Sequence, residues 1–324
     1  MKEFIHSVLA QDVAGAVGRV DSYDLPVNPL SHILLTLHST RTAAATNALP
    51  LMADLINCIA RIEVLYKGSA IFSMSGYDAV ACGVYVNNFE SWGLNFCGII
   101  AEEVSFTIPI CLGRKMFDDR ECFPRTTRGE LILQITHAAA FTDQTLVRLQ
   151  IETVELPDAA PDRFLRQTTL TRTFPAAGEN DVELPIGNDI CDVVIWGGAH
   201  PAGAVFASTL GFLQILVDNQ RRFYSHTNFE THHNMAGRLR AAPGYWSGHT
   251  HFAAAGVGIS HVIADDHLLE CYSHLPFDIH KDLNYALHTQ GKSDIVLRVG
   301  VDAGAASLAV RVIPCEIVSA QGGF

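Results

Sequence analysis

The sequence predicts an all-β chain of two tandem domains with a few short helices. Three observations carry this: a length of 324 residues, a succession of short Val-, Ile-, Thr- and Phe-rich runs separated by turn residues, and an internal repeat. The length exceeds the usual single core. With 48% hydrophobic and 17% charged residues, the composition is that of a globular chain and not a disordered one.

In chain order, "MKEFIHSVLAQDVAGAVGRV" (residues 1–20) comes first. Its apolar residues Phe4, Ile5, Val8, Leu9, Val13, Ala16, Val17 and Val20 share one face of a helix. It reads either as a helix on its own domain or as an amphipathic segment that touches a partner or a membrane surface. Only Lys2 precedes the apolar part and Asp12 interrupts it, which argues against a signal peptide. Strands are predicted in "HILLTLHSTRT" (32–42), "CIARIEVLYKGSAIFSMSG" (58–76), "EEVSFTIPICLG" (102–113), "GELILQITHAAAF" (129–141) and "TLVRLQIETVEL" (145–156). They continue in "DICDVVIWGG" (189–198) and "SDIVLRVGVDAGAASLAVRVIPCEIV" (293–318). Helices are predicted only in "SGYDAVACGVYVNN" (75–88), "GAVFASTLGFLQILVDNQ" (203–220) and the N-terminus. This many short strands indicates sandwiches or barrels.

The repeat has two parts. Thr40-Arg41-Thr42, Leu49-Pro50 and Asp54 match Thr171-Arg172-Thr173, Leu184-Pro185 and Asp189, an offset of 135 at the Leu-Pro step. "GELILQITHAAAFTDQTLVRLQIETVEL" (129–156) matches "SDIVLRVGVDAGAASLAVRVIPCEIVSA" (293–320), with Glu130 against Asp294 and Arg148 against Arg311. Here the offset is 164, so an insertion of 29 residues is expected in the second copy (164 − 135). The Pro-containing "LPDAAPDR" (156–163) reads as the linker. The expected division is an N-terminal segment 1–20, a first domain 21–157 and a second domain 158–324 with an extra loop at about 222–252.

Two such domains resemble the double jelly-roll major capsid proteins of tailless icosahedral viruses, many of which enclose a membrane. The resemblance spans the chain. It is most specific in "FTIPICLGRKMFDDRECFPRTTRGELILQI" (106–135) and in "SHLPFDIHKDLNYALHTQGKSDIVLRV" (273–299), through Leu275-Pro276-Phe277 and Ala286-Leu287. The short chain is similar to compact bacteriophage members. The resemblance implies two tandem eight-stranded jelly rolls and a homotrimer of pseudo-hexagonal outline that tiles an icosahedral shell. It implies a virion location after assembly in host cytoplasm. The partners it implies are neighbouring trimers, penton and minor capsid proteins, and an internal lipid membrane reached through residues 1–20. A net charge of −12 with scattered basic residues disfavours direct nucleic-acid binding.

Catalytic and metal chemistry find little support. The stretch "YSHTNFETHHNMAGRLRAAPGYWSGHTHF" (224–252) holds His226, His232, His233, His249 and His251. His249 and His251 form an H-x-H pair, the spacing that lets alternate strand residues share a metal. With His261 they are the candidate ligands of an alternative reading: a two-jelly-roll enzyme, either a glycan hydrolase or a histidine-ligated copper or zinc oxidase. No carboxylate follows before Asp265, and the surrounding Asn, Gly, Ser and Pro residues read as a surface or inter-subunit loop. The acid pairs Glu102-Glu103, Asp118-Asp119 and Asp265-Asp266 read as solvated charges. Eight cysteines lack C-x-x-C spacing and read as buried free thiols. Arg41 and Arg172 are expected to pair with acids. Trp92, Trp196 and Trp246 could stack on a glycan but read as core. The expectation is therefore no catalytic residue, no bound metal and no cofactor.

Overall fold

A computed structural model describes residues 2–41, 52–89, 103–142, 144–174, 177–198, 210–233, 246–252, 259–265, 269, 271–301 and 308–320. Backbone packing divides the chain into two units, Met1–Asp162 with Pro243–Leu268, and Arg163–Ala242 with Leu269–Phe324.

The first unit holds β1 (Ile5–Ala14), β2 (Val20–Asp24), β3 (Leu30–Arg41), α1 (Met52–Ile56), β4 (Ile59–Tyr66), β5 (Ser69–Met74), α2 (Gly76–Tyr85), β6 (Glu103–Cys111), β7 (Leu131–His137) and β8 (Gln144–Glu155). Its strands form two antiparallel sheets, in the orders β1-β8-β3-β6 and β2-β7-β4-β5. Strict alternation builds the core. Ile33, Leu35 and Leu37 of β3, Leu149 and Ile151 of β8, and Leu133 and Ile135 of β7 are fully buried, while their neighbours along each strand, apart from the buried His32, are half-buried. Each such side chain contributes about 1.5–3 kcal/mol by leaving water.

The second unit begins with β9 (Arg163–Thr168) and β10 (Leu170–Phe174), two halves of one interrupted strand along the last strand of the chain. There follow β11 (Gly178–Glu183), β12 (Asp189–Trp196), β13 (Leu210–Val217), β14 (Gln220–Arg221) and β15 (Thr227–Asn228). Next is the hairpin β16 (Trp246–Phe252) and β17 (Ile259–Asp265), which groups with the first unit, and then β18 (Tyr272–Pro276), β19 (Ile295–Val301) and β20 (Leu308–Ser319). The pairings run β9/β10-β20-β12-β18 and β11-β19-β13, with β14 and β15 both on β13. Counted within its unit, each half therefore has the strand orders 1-8-3-6 and 2-7-4-5, the pattern of a jelly roll. Corresponding turns agree as well. β4 and β5 join through Lys67-Gly68, and β13 and β14 through Asp218-Asn219, all four with positive φ as a two-residue type I′ hairpin demands.

Several expectations are corrected. Residues 1–20 are not a helix and not a separate segment, because β1 is the first strand of the first jelly roll, hydrogen-bonded along β8. Gly18, at φ +68, turns the chain into β2 where a helix would have continued. The helix expected over 203–220 is strand β13 from Leu210. Leu213, Ile215 and Val217 bury on one face with a period of two, and a short apolar run does not distinguish the two states. The helix over 75–88 stands as α2, capped by the Ser75 hydroxyl, which accepts from the Asp78 backbone N–H at 3.2 Å.

The repeat is real in its second part only. β7 and β19 have seven residues each, β8 and β20 twelve each, and both pairs start 164 positions apart (295 − 131 and 308 − 144). The Thr-Arg-Thr match fails: Thr40-Arg41 ends the third strand of its unit, whereas Thr171–Thr173 lies in the first strand of the other. The 29-residue insertion falls with it. From the end of the third strand to the start of the seventh, the units span 90 and 99 positions (131 − 41 and 295 − 196), a difference of nine.

Candidate functional site

The described histidines of the 224–252 stretch close a strand edge. β18 ends its sheet, and all five of its residues are buried. Its outer carbonyls find donors in the neighbouring segment. The Tyr224 hydroxyl donates to the Pro276 carbonyl at 2.6 Å, and His233 Nδ1 donates to the Tyr272 carbonyl at 2.7 Å, which fixes its tautomer. The Ser273 hydroxyl reaches back to the Phe229 carbonyl at 3.2 Å. His232 Nε2 meets the Thr227 hydroxyl at 2.6 Å and its ring stands edge-on to Tyr224. His226 stacks on Phe212, with ring centres 4.6 Å apart. Burial, followed by the charge of His274, lowers the His232 pKa below its ordinary range. Burial, followed by the Asp192 charge, raises Tyr224, keeping its proton on as the donor.

His249 and His251 lie on β16 and His261 on β17. In the ladder, His261 is registered against Thr250, the residue between the other two. Among the described residues no group of three His, Cys, Asp or Glu is placed to hold a metal. Asp118 and Asp119 lie in the loop after β6, where Asp119 pairs with Lys2. Glu102, Asp266, Trp92, Thr42, Leu49 and Pro50 lie outside the described residues. Arg172 is exposed and donates only to the Thr171 carbonyl at 3.4 Å, without an acidic partner among the described residues. The Arg311 guanidinium lies 3.6 Å from the centre of the Trp196 ring and donates to the Tyr272 hydroxyl, so that tryptophan packs against protein and offers no open platform. Seven cysteines carry unbridged thiols, and all but Cys271 are buried; Cys97 lies outside the described residues.

Sequence reasoning missed three buried polar sites. His32 sits on β3 with its Nδ1 3.0 Å from the Ser31 hydroxyl and its ring edge-on to Phe117. Burial, reinforced by the charge of His6, depresses its pKa to about 4. Arg114 and Glu121 form a buried bidentate pair (2.8 and 2.6 Å) that pins the loop after β6. Asp192 and His274 pair across β12 and β18 at 2.6 Å. Apart from Ser31, which adjoins His32, each partner lies far away in sequence or in an irregular loop, so periodicity carries no signal for it.

The exposed apolar residues are the remaining candidates. Phe4 (58% exposed), Ile5 and Val8 run along β1 at the free edge of its sheet. Phe117, Leu146 (72%) and Phe223 combine exposure with positive φ, which costs a bulky residue about 1–2 kcal/mol. Phe117 meets Phe4 and His32 edge to face and Phe223 meets Phe277, so their rings are only partly covered from within the chain.

No protein-family model matches the chain, and no curated protein sequence matches it. Solved structures do. The STIV MCP is 13% identical with a TM-score of 0.68, covering 98% of this chain and 97% of that one. The major capsid protein of bacteriophage PM2 is 11% identical with a TM-score of 0.59, covering 100% of both chains. The PBCV-1 virus capsid chain is 11% identical with a TM-score of 0.60, covering 100% of this chain and 97% of that one. Together with the strand order repeated in both units, these likenesses establish the double jelly-roll fold of the major capsid proteins for the whole length of this chain.

Proposed function

We propose that the chain is the major structural subunit of an icosahedral virion shell and that it works as a homotrimer. The observation that carries this is the duplication: two jelly rolls of identical strand order in one chain. Three copies then present six similar units around a closed three-fold ring, the outline that tiles a hexagonal lattice. The exposed apolar residues supply contacts with neighbouring copies, and pentons and minor capsid proteins complete the shell. The acidic net charge suits a protein that encloses a genome without gripping it. Residues 1–20, which hold the first strand of the first jelly roll, contact whatever lines the inside of the shell. The subunit is structural and not catalytic.

Light scattering on the purified chain tests this. A particle of three times 35.3 kDa, or assemblies of such particles, is expected. A stable monomer across the concentrations used would refute it. A metal assay on the same sample tests the enzyme reading, for which about one copper or zinc per chain is the required result.

A further inference from the structure

At the N-terminal end of the first unit, Phe4 and Phe117 meet edge to face, with ring centres 5.2 Å apart and planes at 70°. With Leu156 and Ala159 they floor a cleft of about 160 Å³. A cavity of this size takes one benzene-sized group, which is room for a single long side chain and not for a helix or strand. Lys2, Glu3, Asp119 and Asp158 wall it. Lys2 and Asp119 neutralise each other, and the amine holds the Asp119 carboxyl below its ordinary range. Glu3 and Asp158, both exposed, have no ion-pair partner among the described residues, so the rim carries two uncompensated carboxylates.

We propose that this cleft is a socket for a lysine or arginine side chain of a partner polypeptide, whose stem lies on Phe4 and Phe117 and whose charge is met by Glu3 and Asp158. An aromatic floor attracts a cation through its negative faces and an apolar stem through burial. Phe117 holds a left-handed backbone (φ 61) with half its surface exposed, and a stem laid across the ring would cover it. Charge separates the occupants. The unpaired carboxylates repel an anionic membrane surface and attract a basic protein segment. The proposal names the partner class for the N-terminal face and so rests on the shell reading for its setting.

The full-length chain is titrated against a fluorescein-labelled Gly-Leu-Lys-Leu-Gly peptide, with fluorescence anisotropy as readout and light scattering on the same sample. The acetyl-lysine version of the peptide is the control. Binding at about 1 mM peptide or below is expected, weakened about five-fold by each of Glu3→Gln, Asp158→Asn and Phe117→Ala. The acetylated control should not bind, and added salt should weaken the complex. Both carboxylate changes are at exposed sites and leave the fold alone. Equal binding of the acetylated peptide, indifference to both carboxylate variants, or no binding overturns the socket. Phosphatidylcholine vesicles that pellet the wild type but not the Glu3→Gln/Asp158→Asn protein, without competition from the peptide, would overturn it in favour of a lipid headgroup. A monomeric mass alongside normal peptide binding would sink the shell reading and leave the socket standing.

Discussion

His32 should make the first unit acid-labile. Its ring is 3% exposed on β3, between Ser31 and Phe117, and its pKa falls from 6.5 to about 4, first through burial and then through the charge of His6. A histidine depressed in the folded state keeps its full contribution above pH 6.5, the unfolded value. It loses that contribution as pH falls, because the unfolded chain takes up the proton first. The loss grows between pH 6.5 and about 4 and is constant below. At 1.36 kcal/mol per pH unit it reaches about 3 kcal/mol. The assay is urea unfolding at fixed protein concentration from pH 7 to 4, comparing the wild type with His32→Gln, whose amide can still bond the Ser31 hydroxyl. Other groups titrate in both proteins and cancel in the difference. The wild type should lose about 3 kcal/mol more than the variant. Curves that run parallel within about 0.5 kcal/mol would show that the buried ring does not resist protonation. His6→Gln, which removes the second cause only, should shrink the loss without abolishing it.

Three further outcomes are expected. Glu121→Ala strands the Arg114 guanidinium in the core and should cost about 3–5 kcal/mol in urea unfolding. A Cβ on Gly300 would stand 2.2 Å from the Phe212 ring, so Gly300→Ala should unfold or strongly destabilise the second unit. Gly300→Ala/Phe212→Ala should recover part of the loss, and additive effects of the two changes would contradict the clash. Protonating His232 works against its burial and the His274 charge, so amides of residues 224–233 should exchange faster as pH drops below 6.5, after correction for intrinsic rates. His232→Gln should remove that dependence.

Much of the fold was legible because a sheet with one buried face imposes a period of two. The residues of β7 alternate buried and half-buried along their whole length, and the sequence alternates with them. The same rule locates β3, β4 and β8. It fails for β1, whose edge position buries little: its pattern is mostly exposed, so its apolar residues follow no face and a helical reading fits them by accident. It also fails for β13, where a continuous apolar run is compatible with either state. The repeat was legible where two strands and their turn are conserved in length, as in β7–β8 and β19–β20. It misled where three residues matched by chance across non-equivalent strands.

The histidine-rich stretch shows why the site was harder to read than the fold. Composition marks 224–233 as a loop, but β15 takes 227–228 and residues 229–233 are helical. Its role depends on β18, whose Pro276 lies 52 positions beyond Tyr224 (276 − 224) and whose outer carbonyls Tyr224 and His233 satisfy. A jelly roll must protect each terminal strand, and in the second unit the protection comes from tyrosine and histidine side chains where a further strand could have paired. With that edge capped, association of copies by strand addition at β18 is closed off. Phe4, Phe117, Leu146 and Phe223 stand exposed elsewhere, Phe4 beside the terminal strand β1 and Leu146 within β8.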